Sequence, residues 1–383
     1  MSITVRKNPR LRGLQCIRCE RQFDLQDLPE GCPHCAAAGV PASLKAIYAG
    51  LPGTLEPAAG TYKYGAWLPY ERGVGLGEGG TPCLELPRLA RSLGVARLSA
   101  KHEGRNPTGS HKDRMSAQAV SRALEVGAPQ VVLASSGNAA VSAAAYCAAA
   151  GIACEVATYQ DMPDAYVRAL RRLGARRVAF AKAHERWAHV GRKVREEGAF
   201  ALTNFSLPAV GSTVWGVEGY RAIALECAAD GCVPDHVVVP TARGDLLWGL
   251  HSGFADLFAA GLVDRQPRLW AVEPFPRLTH VLDGAPLQQE FPGSTAQFST
   301  AGSTVTYQLW RAVRDSAGGA AVVDDPGARE GAEWLCAQGL WVELCAGATA
   351  AAVPRLLAQG RIRPGEHVLL LLTANGDRDT LGG

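Results

Sequence analysis

Lys101-His-Glu-Gly-Arg-Asn-Pro-Thr-Gly-Ser-His-Lys112-Asp-Arg114 is the densest run of chemically able side chains in the protein. Asn106 to Gly109 form a turn: proline fixes one backbone angle, glycine admits a left-handed one, and Asn and Thr bond to nearby backbone. Met115, Ala117 and Ala119 then open a helix, which puts Lys112 in its first turn. There the positive end of the helix dipole and partial burial both disfavour the ammonium form. An amine held neutral can attack an aldehyde, which arginine cannot do. On residue types alone, however, an ordinary surface lysine between Asp113 and Arg114 is the stronger reading.

Outward from this run, apolar strand-like segments alternate with helical patterns, the signature of parallel α/β units. Strands are expected at Val131–Ala134, Cys154–Thr158, Val178–Ala181 and Ala201–Thr203, then at His236–Pro240, Leu269–Val272, Ala321–Val323 and Val368–Leu372. Two sheets fit these two series better than one, the first forming a smaller inserted domain. Three polar turns follow expected strands: Ala134-Ser-Ser-Gly-Asn138, Pro240-Thr-Ala-Arg-Gly244-Asp245 and Thr373-Ala-Asn-Gly-Asp-Arg-Asp379. Carboxyl ends of strands are where open α/β sheets bind ligands. The first turn is built like an anion site at a helix start, although Ser and Asn are also ordinary helix caps. Residues 46–75, rich in Gly, Pro and Tyr, read as a linker or wrapping arm.

A 383-residue chain with 47% hydrophobic and 20% charged residues can bury a large core. Its net charge of +3 predicts neither a nucleic-acid nor a membrane surface. The start has no apolar signal segment, and the longest uncharged stretch, Val131 to Cys154, is broken by Ser135 to Asn138. Seven lysines face thirty-two arginines, so a lysine kept in a pointed context stands out. Eleven cysteines, an odd number, argue for a reducing compartment, the cytoplasm, and against a disulfide scaffold.

Four cysteines are patterned: Cys16-Ile-Arg-Cys19, twelve residues, then Cys32-Pro-His-Cys35. Two such knuckles can hold a structural Zn2+ with four thiolates and no open position. Unrelated core cysteines are the plainer alternative. His34 reads as a spectator inside the second knuckle.

Taken in order, Gly77-Glu-Gly-Gly-Thr-Pro82, Asn106-Pro-Thr-Gly-Ser-His-Lys112-Asp-Arg114, Ser135-Ser-Gly-Asn138, Glu218-Gly219, Glu343 and the Thr373 turn resemble the pyridoxal-phosphate enzymes of fold type II. Within them the resemblance is to the threonine synthase family, many of whose members carry an amino-terminal zinc ribbon. It runs from about Cys16 to Asp379. It implies a ribbon over 1–45, a large α/β domain from 46–115 and 210–383, and a smaller one over 116–209. It also implies pyridoxal 5'-phosphate as cofactor, with Lys112 holding it covalently and then moving protons at the substrate. Asn138 would bond the cofactor's ring hydroxyl oxygen. Thr241, Ala242, Arg243, Gly244 and Asp245 would cradle its phosphate, and Thr373 would face its ring nitrogen. Ser135, Ser136 and Gly137, with Thr108 and Arg243, would bind the amino-acid substrate. A homodimer is implied as well.

The implied reaction is elimination and replacement on an amino acid bearing a leaving group, best named as threonine synthase action on O-phospho-L-homoserine. Four departures bear on the substrate. Ala242 and Arg243 interrupt a turn that is usually Gly-rich, leaving Arg243 for phosphate, substrate or solvent. Thr213-Val-Trp215-Gly216 stands where relatives carry Asn-Pro-aromatic-Arg, so an arginine near the substrate phosphate is missing. His111 replaces Phe, and Ala374 replaces a Gly that would leave more room at the ring nitrogen. Lys101, Arg105 and Arg114 are the other cations expected near the site. The alternative chemistry is β-elimination or β-replacement on serine or threonine derivatives, dehydratase-like or cysteate-synthase-like. A ligand sensor without activity is the distant third.

Overall fold

The computed structural model describes residues 3–56 and 60–379. Residues 1–2, 57–59 and 380–383, parts of the expected ribbon, arm and large-domain segments, lie outside the described residues.

Among the described residues, six strands form the larger sheet in the order Gly319–Val322, Arg268–Glu273, His236–Pro240, His367–Leu372, Arg97–His102 and Cys83–Glu85. All neighbours are parallel except the edge strand Cys83–Glu85. His367–Leu372 and His236–Pro240 are buried at every residue. Unbroken apolar runs of this kind are what a parallel sheet covered on both faces requires. One cover is the Ala-rich helix Leu344–Ala358, crossed by the helix Asp325–Cys336. The crossing needs glycine: a Cβ on Gly331 would lie 2.2 Å from the Gly347 carbonyl oxygen.

The second sheet has four parallel strands, in the order Arg176–Phe180, Ala153–Tyr159, Gln130–Ala134 and Phe200–Ala201. The helix Asn138–Ala150 follows its strand Gln130–Ala134 and packs on the helix Lys112–Glu125. Its alanines keep it thin enough to be buried over most of its surface.

The expected strands in both series are present within a few residues. Two others escape the apolar pattern. Arg97–His102 carries Lys101 at a buried position, where the ammonium lies 2.7 Å from Glu226 and donates to the Thr81 carbonyl at 2.6 Å. Its partner Cys83–Glu85 has only three residues.

The amino-terminal unit is a three-stranded antiparallel sheet, Gln22–Phe23, Leu11–Cys16 and Leu44–Tyr48. Its third strand runs past residue 45, and the helix Lys112–Glu125 straddles residue 115, so two expected boundaries fall inside elements. The expected arm is in part a packed layer, in which Tyr64, Trp67, Leu68 and Tyr70 are buried. One pairing that the cysteine count did not anticipate joins Cys83 to Cys232 as a disulfide.

The unit docks on the body. Asp27 accepts a 2.6 Å hydrogen bond from the Trp215 indole and pairs with Arg122 at 3.0 Å. Glu218 accepts from the Ala46 N–H at 3.2 Å and the Tyr48 hydroxyl at 3.0 Å.

Candidate active site

A cavity of about 400 Å³ opens where the carboxyl ends of the two sheets face each other. It is lined by Lys112, the turn Ser135 to Asn138, the turn Thr241 to Asp245, Glu343 and Thr373, among others. The three polar turns noted in the sequence therefore meet in one place.

Lys112 begins the helix Lys112–Glu125 and donates from Nζ to the Tyr220 hydroxyl at 3.2 Å. Burial holds its amine below the usual lysine range; Asp245 and Glu343 oppose that shift and Arg243 adds to it. The preceding turn is clamped by Asp113, which accepts from the Thr108 N–H at 2.6 Å, the Thr108 hydroxyl at 2.5 Å and the Ser142 hydroxyl at 2.6 Å. Thr108 is thereby committed to Asp113 and does not line the cavity. Gly219 of the Glu218-Gly219 pair lets the helix Val214–Gly219 lie against this same helix, since a Cβ there would meet the Arg114 carbonyl oxygen at 2.1 Å.

His111 lies against Tyr220, with ring centroids 5.5 Å apart, and its Nδ1 donates to the Thr373 carbonyl at 3.1 Å. Burial holds its pKa well below the usual value, so it is a neutral packing group.

In the first turn, Ser135 accepts from the Gly137 N–H at 3.3 Å and Ser136 from the Tyr159 N–H at 2.9 Å. A Cβ on Gly137 would come within 2.9 Å of the Phe298 ring, which would have to shift. The second turn differs from expectation at Thr241. Its N–H donates to Val272 at 2.8 Å and its hydroxyl to Val239 at 2.8 Å, so it belongs to the sheet. Ala242 to Asp245 remain to offer N–H groups at the start of the helix Asp245–Ala259. Gly244 has φ +80°, and a Cβ there would strike Leu309 at 2.5 Å. The Asp245 carboxylate accepts from the Ser212 hydroxyl at 2.6 Å and from Gln308.

The third turn meets the others through Glu343, which was quoted in the sequence pattern without a role. Its two carboxylate oxygens accept from Asn138 and from the Thr373 hydroxyl, each at 3.0 Å. Burial pushes its pKa up to about 7, against the pull of those two donors and of Lys112. Ala374 is buried away from the cavity and does not narrow it.

Three expected cations are elsewhere. Arg114 and Lys101 are fully buried against Glu103 and Glu226, at 2.7 Å in each pairing, and line no part of the cavity. Arg105 is exposed and outside it as well. Arg243 does line the cavity, its guanidinium 5.1 Å from the Trp187 ring centroid, so it is not a solvent-facing side chain. Arg186, 8% exposed, also lines it and was not foreseen.

These donors fit a phosphorylated aromatic aldehyde. A neutral amine suits the carbonyl, N–H groups at a helix start suit the phosphate, and the Asn138, Glu343 and Thr373 trio suits the polar edge of a ring. The matching family model is that of the pyridoxal-phosphate-dependent enzymes, over residues 74–374. The chain belongs to this family.

Family members similar to it include the threonine synthase of Methanosarcina acetivorans, 29% identical over 94% of this chain and 91% of that protein. The threonine synthase of Synechocystis sp. is 31% identical over 80% and 78%. Among solved structures, a pyridoxal 5'-phosphate-dependent aspartate racemase superposes with a TM-score of 0.68 at 20% identity, covering 79% of this chain and 92% of that one. A threonine deaminase isoform from Solanum lycopersicum does so at 0.65 and 17%, covering 77% and 83%. These structures share the fold, the paired parallel sheets of fold type II.

The four patterned cysteines converge too. Their sulfurs lie within 4.8 Å of one another, with Cys16 to Cys35 at 3.6 Å and Cys19 to Cys32 at 3.7 Å. Tetrahedral zinc with Zn–S bonds of ~2.3 Å separates its sulfurs by ~3.8 Å. Among the described residues, no helix is long and apolar enough to cross a membrane.

Proposed function

We propose that the protein is a lyase of threonine synthase type, which takes O-phospho-L-homoserine, releases its phosphate from Cγ and adds water at Cβ. The observation that carries the reading is the convergence of a desolvated Lys112 with the Ser135–Asn138 and Ala242–Asp245 turns. The relatives named as threonine synthases, matched along most of the chain, support the same substrate.

Bound pyridoxal phosphate supplies an electron sink for the pair left when a substrate carbon loses its proton. The chain does the rest. Lys112 Nζ takes and returns protons at the α- and β-carbons, and Tyr220 keeps that amine aimed. The turn Ser135-Ser136-Gly137 orients the α-carboxylate, through the Ser136 N–H and the serine hydroxyls, since the Ser135 N–H donates to the Ala157 carbonyl. Asn138 would hold the ring hydroxyl oxygen, Ala242 to Asp245 the cofactor phosphate, and Thr373 would face the ring nitrogen. A neutral hydroxyl stabilises a protonated ring less than a carboxylate would. That moderates delocalisation and suits elimination and replacement over transamination.

A second reading, β-elimination or β-replacement on O-phospho-L-serine, uses the same residues. It is favoured by Gly216, which stands where relatives carry a substrate arginine, beside a Trp215 that turns to Asp27. Incubating the holoenzyme with O-phospho-L-homoserine, O-phospho-L-serine, L-threonine and L-serine separates the two. Phosphate and threonine from the first substrate alone support the synthase. Pyruvate from the serine derivatives supports the second reading, and a colourless protein that takes up no cofactor ends both.

The same reading divides the chain into a ribbon, a large domain flanking residues 116–209, and the smaller domain between. It gives Cys16, Cys19, Cys32 and Cys35 one structural Zn2+ and makes the protein a cytoplasmic homodimer. The geometry of the sulfurs supports the metal, and elemental analysis tests it with one zinc per chain expected.

A further inference from the structure

Two guanidinium groups, Arg186 and Arg243, enter the cavity from opposite walls, and among the described residues neither forms an ion pair with an acid. Arg186 comes from the helix Ala183–Glu197, which packs on the four-stranded sheet. Its guanidinium lies 3.5 Å from the Tyr159 ring centroid, and Nη1 reaches the Ser136 hydroxyl at 3.5 Å. Arg243 comes from the turn after the strand His236–Pro240 of the larger sheet and lies over Trp187, the neighbour of Arg186. Among the described residues, the Nε atoms of both are buried with no hydrogen-bond partner. Arg277, behind Arg243, is already engaged by the carbonyls of Thr241 and Gly302 and by Glu273.

Other buried cations in this protein meet carboxylates. Arg114 and Lys101 have Glu103 and Glu226, and Arg221 has Glu218 and Asp256. A buried charge without a partner is costly, so an unpartnered pair in a cavity marks the place of an anion. The anions already assigned leave room for one more. The Ala242–Asp245 turn takes the cofactor phosphate and the Ser135–Gly137 turn the α-carboxylate, but Arg186 lies beside the latter with a free edge.

We propose that Arg186 and Arg243 together form a subsite for a phosphate ester at the end of the substrate's side chain. The pair stands in for the arginine that is missing at Gly216. This rests on the lyase reading above and specifies which of its residues select a phosphorylated substrate. Two forked guanidinium groups match the several oxygens of a phosphate better than a single ammonium could.

The test uses holoenzymes of the wild type, Arg186→Ala, Arg186→Lys and Arg243→Ala. Binding is read from the change in visible absorbance on titration with O-phospho-L-homoserine, O-phospho-L-serine, L-homoserine and L-serine. Inorganic phosphate is titrated separately against thermal melting. The proposal expects Arg186→Ala to lower the preference for phosphorylated over unphosphorylated amino acids by roughly 30-fold or more. Arg186→Lys should restore part of that preference, and inorganic phosphate should raise the melting temperature of the wild type but not of Arg186→Ala. Equal weakening toward both classes of amino acid would assign Arg186 to the α-carboxylate and overturn the subsite. Loss of bound cofactor in Arg243→Ala would place Arg243 in the cofactor cradle and overturn its half. A wild-type holoenzyme that responds to none of the amino acids would defeat the lyase reading, while the phosphate melting series still decides the subsite.

Discussion

Two groups of buried charges lie on either side of the helix that begins at Lys112, and they differ in one respect. Beneath it, Arg114 and Lys101 are enclosed by Glu103 and Glu226, with Thr81 and Asn106 bonded to Glu103. At its start, Lys112, Arg186 and Arg243 share a cavity whose nearest acids are engaged elsewhere, Asp245 by Ser212 and Gln308 and Glu343 by Asn138 and Thr373. The first group is closed and holds the strand Arg97–His102, the Gly77–Pro82 segment and the helix together. The second is open and waits for negative charge from a ligand. Burial alone does not tell scaffold from site; compensation does.

That distinction can be broken by removing a cation from each group. The largest effect on activity is expected from Lys112→Ala: turnover should fall by roughly 10³-fold or more and the visible absorbance should vanish, with no loss of folded stability. Arg114→Ala should do the reverse. It strands the buried Glu103 carboxylate, leaves Glu226 with Lys101 alone, and should cost about 3–5 kcal/mol in denaturant unfolding. Should Arg114→Ala unfold at wild-type denaturant concentration, the closed group is not structural.

Glu343→Gln sharpens the comparison through pH. The folded carboxyl titrates at about 7, above the ordinary value of 4.5, so between those values the unfolded chain has released a proton that the folded one keeps. The Glu343 contribution to apoprotein stability therefore falls as pH rises through that window and levels off above it. Gln has no such contribution, so the stability difference between variant and wild type should grow through that window and reach on the order of 3 kcal/mol in the variant's favour at pH 8. A wild-type melting temperature that rises from pH 5 to 7, with no difference in Glu343→Gln, would contradict this. The smallest effect is expected from Asp27→Ala, which removes a half-exposed pair with Arg122 and a bond from Trp215. About 1 kcal/mol should be lost, visible as earlier proteolysis of the amino-terminal unit.

The sequence made the two central strands plain, because Val368–Leu372 and His236–Pro240 are apolar at almost every residue. It hid Arg97–His102, whose Lys101 disguises a buried strand until Glu226, distant in the chain, is seen to neutralise it. Site residues inside compact motifs were legible for the same local reason: Lys112, Asn138 and the turn after Pro240 each follow or open a recognisable element. Arg186 and Tyr220 were not, since each matters through a neighbour from another part of the chain. Nearness in sequence also misled. Arg114 is two residues from Lys112, yet two helical steps, about 200° of rotation, send it to the opposite side.

The order of strands in the larger sheet has a consequence for how the protein is made. His367–Leu372 joins His236–Pro240 on one side to Arg97–His102 on the other. During synthesis the two flanking halves emerge first, each with an unpaired inner edge, and the piece that unites them comes after about 360 residues. Until then those edges are exposed templates for pairing with other chains. The sheet is completed from its middle, late, by a segment that ends one residue before Thr373.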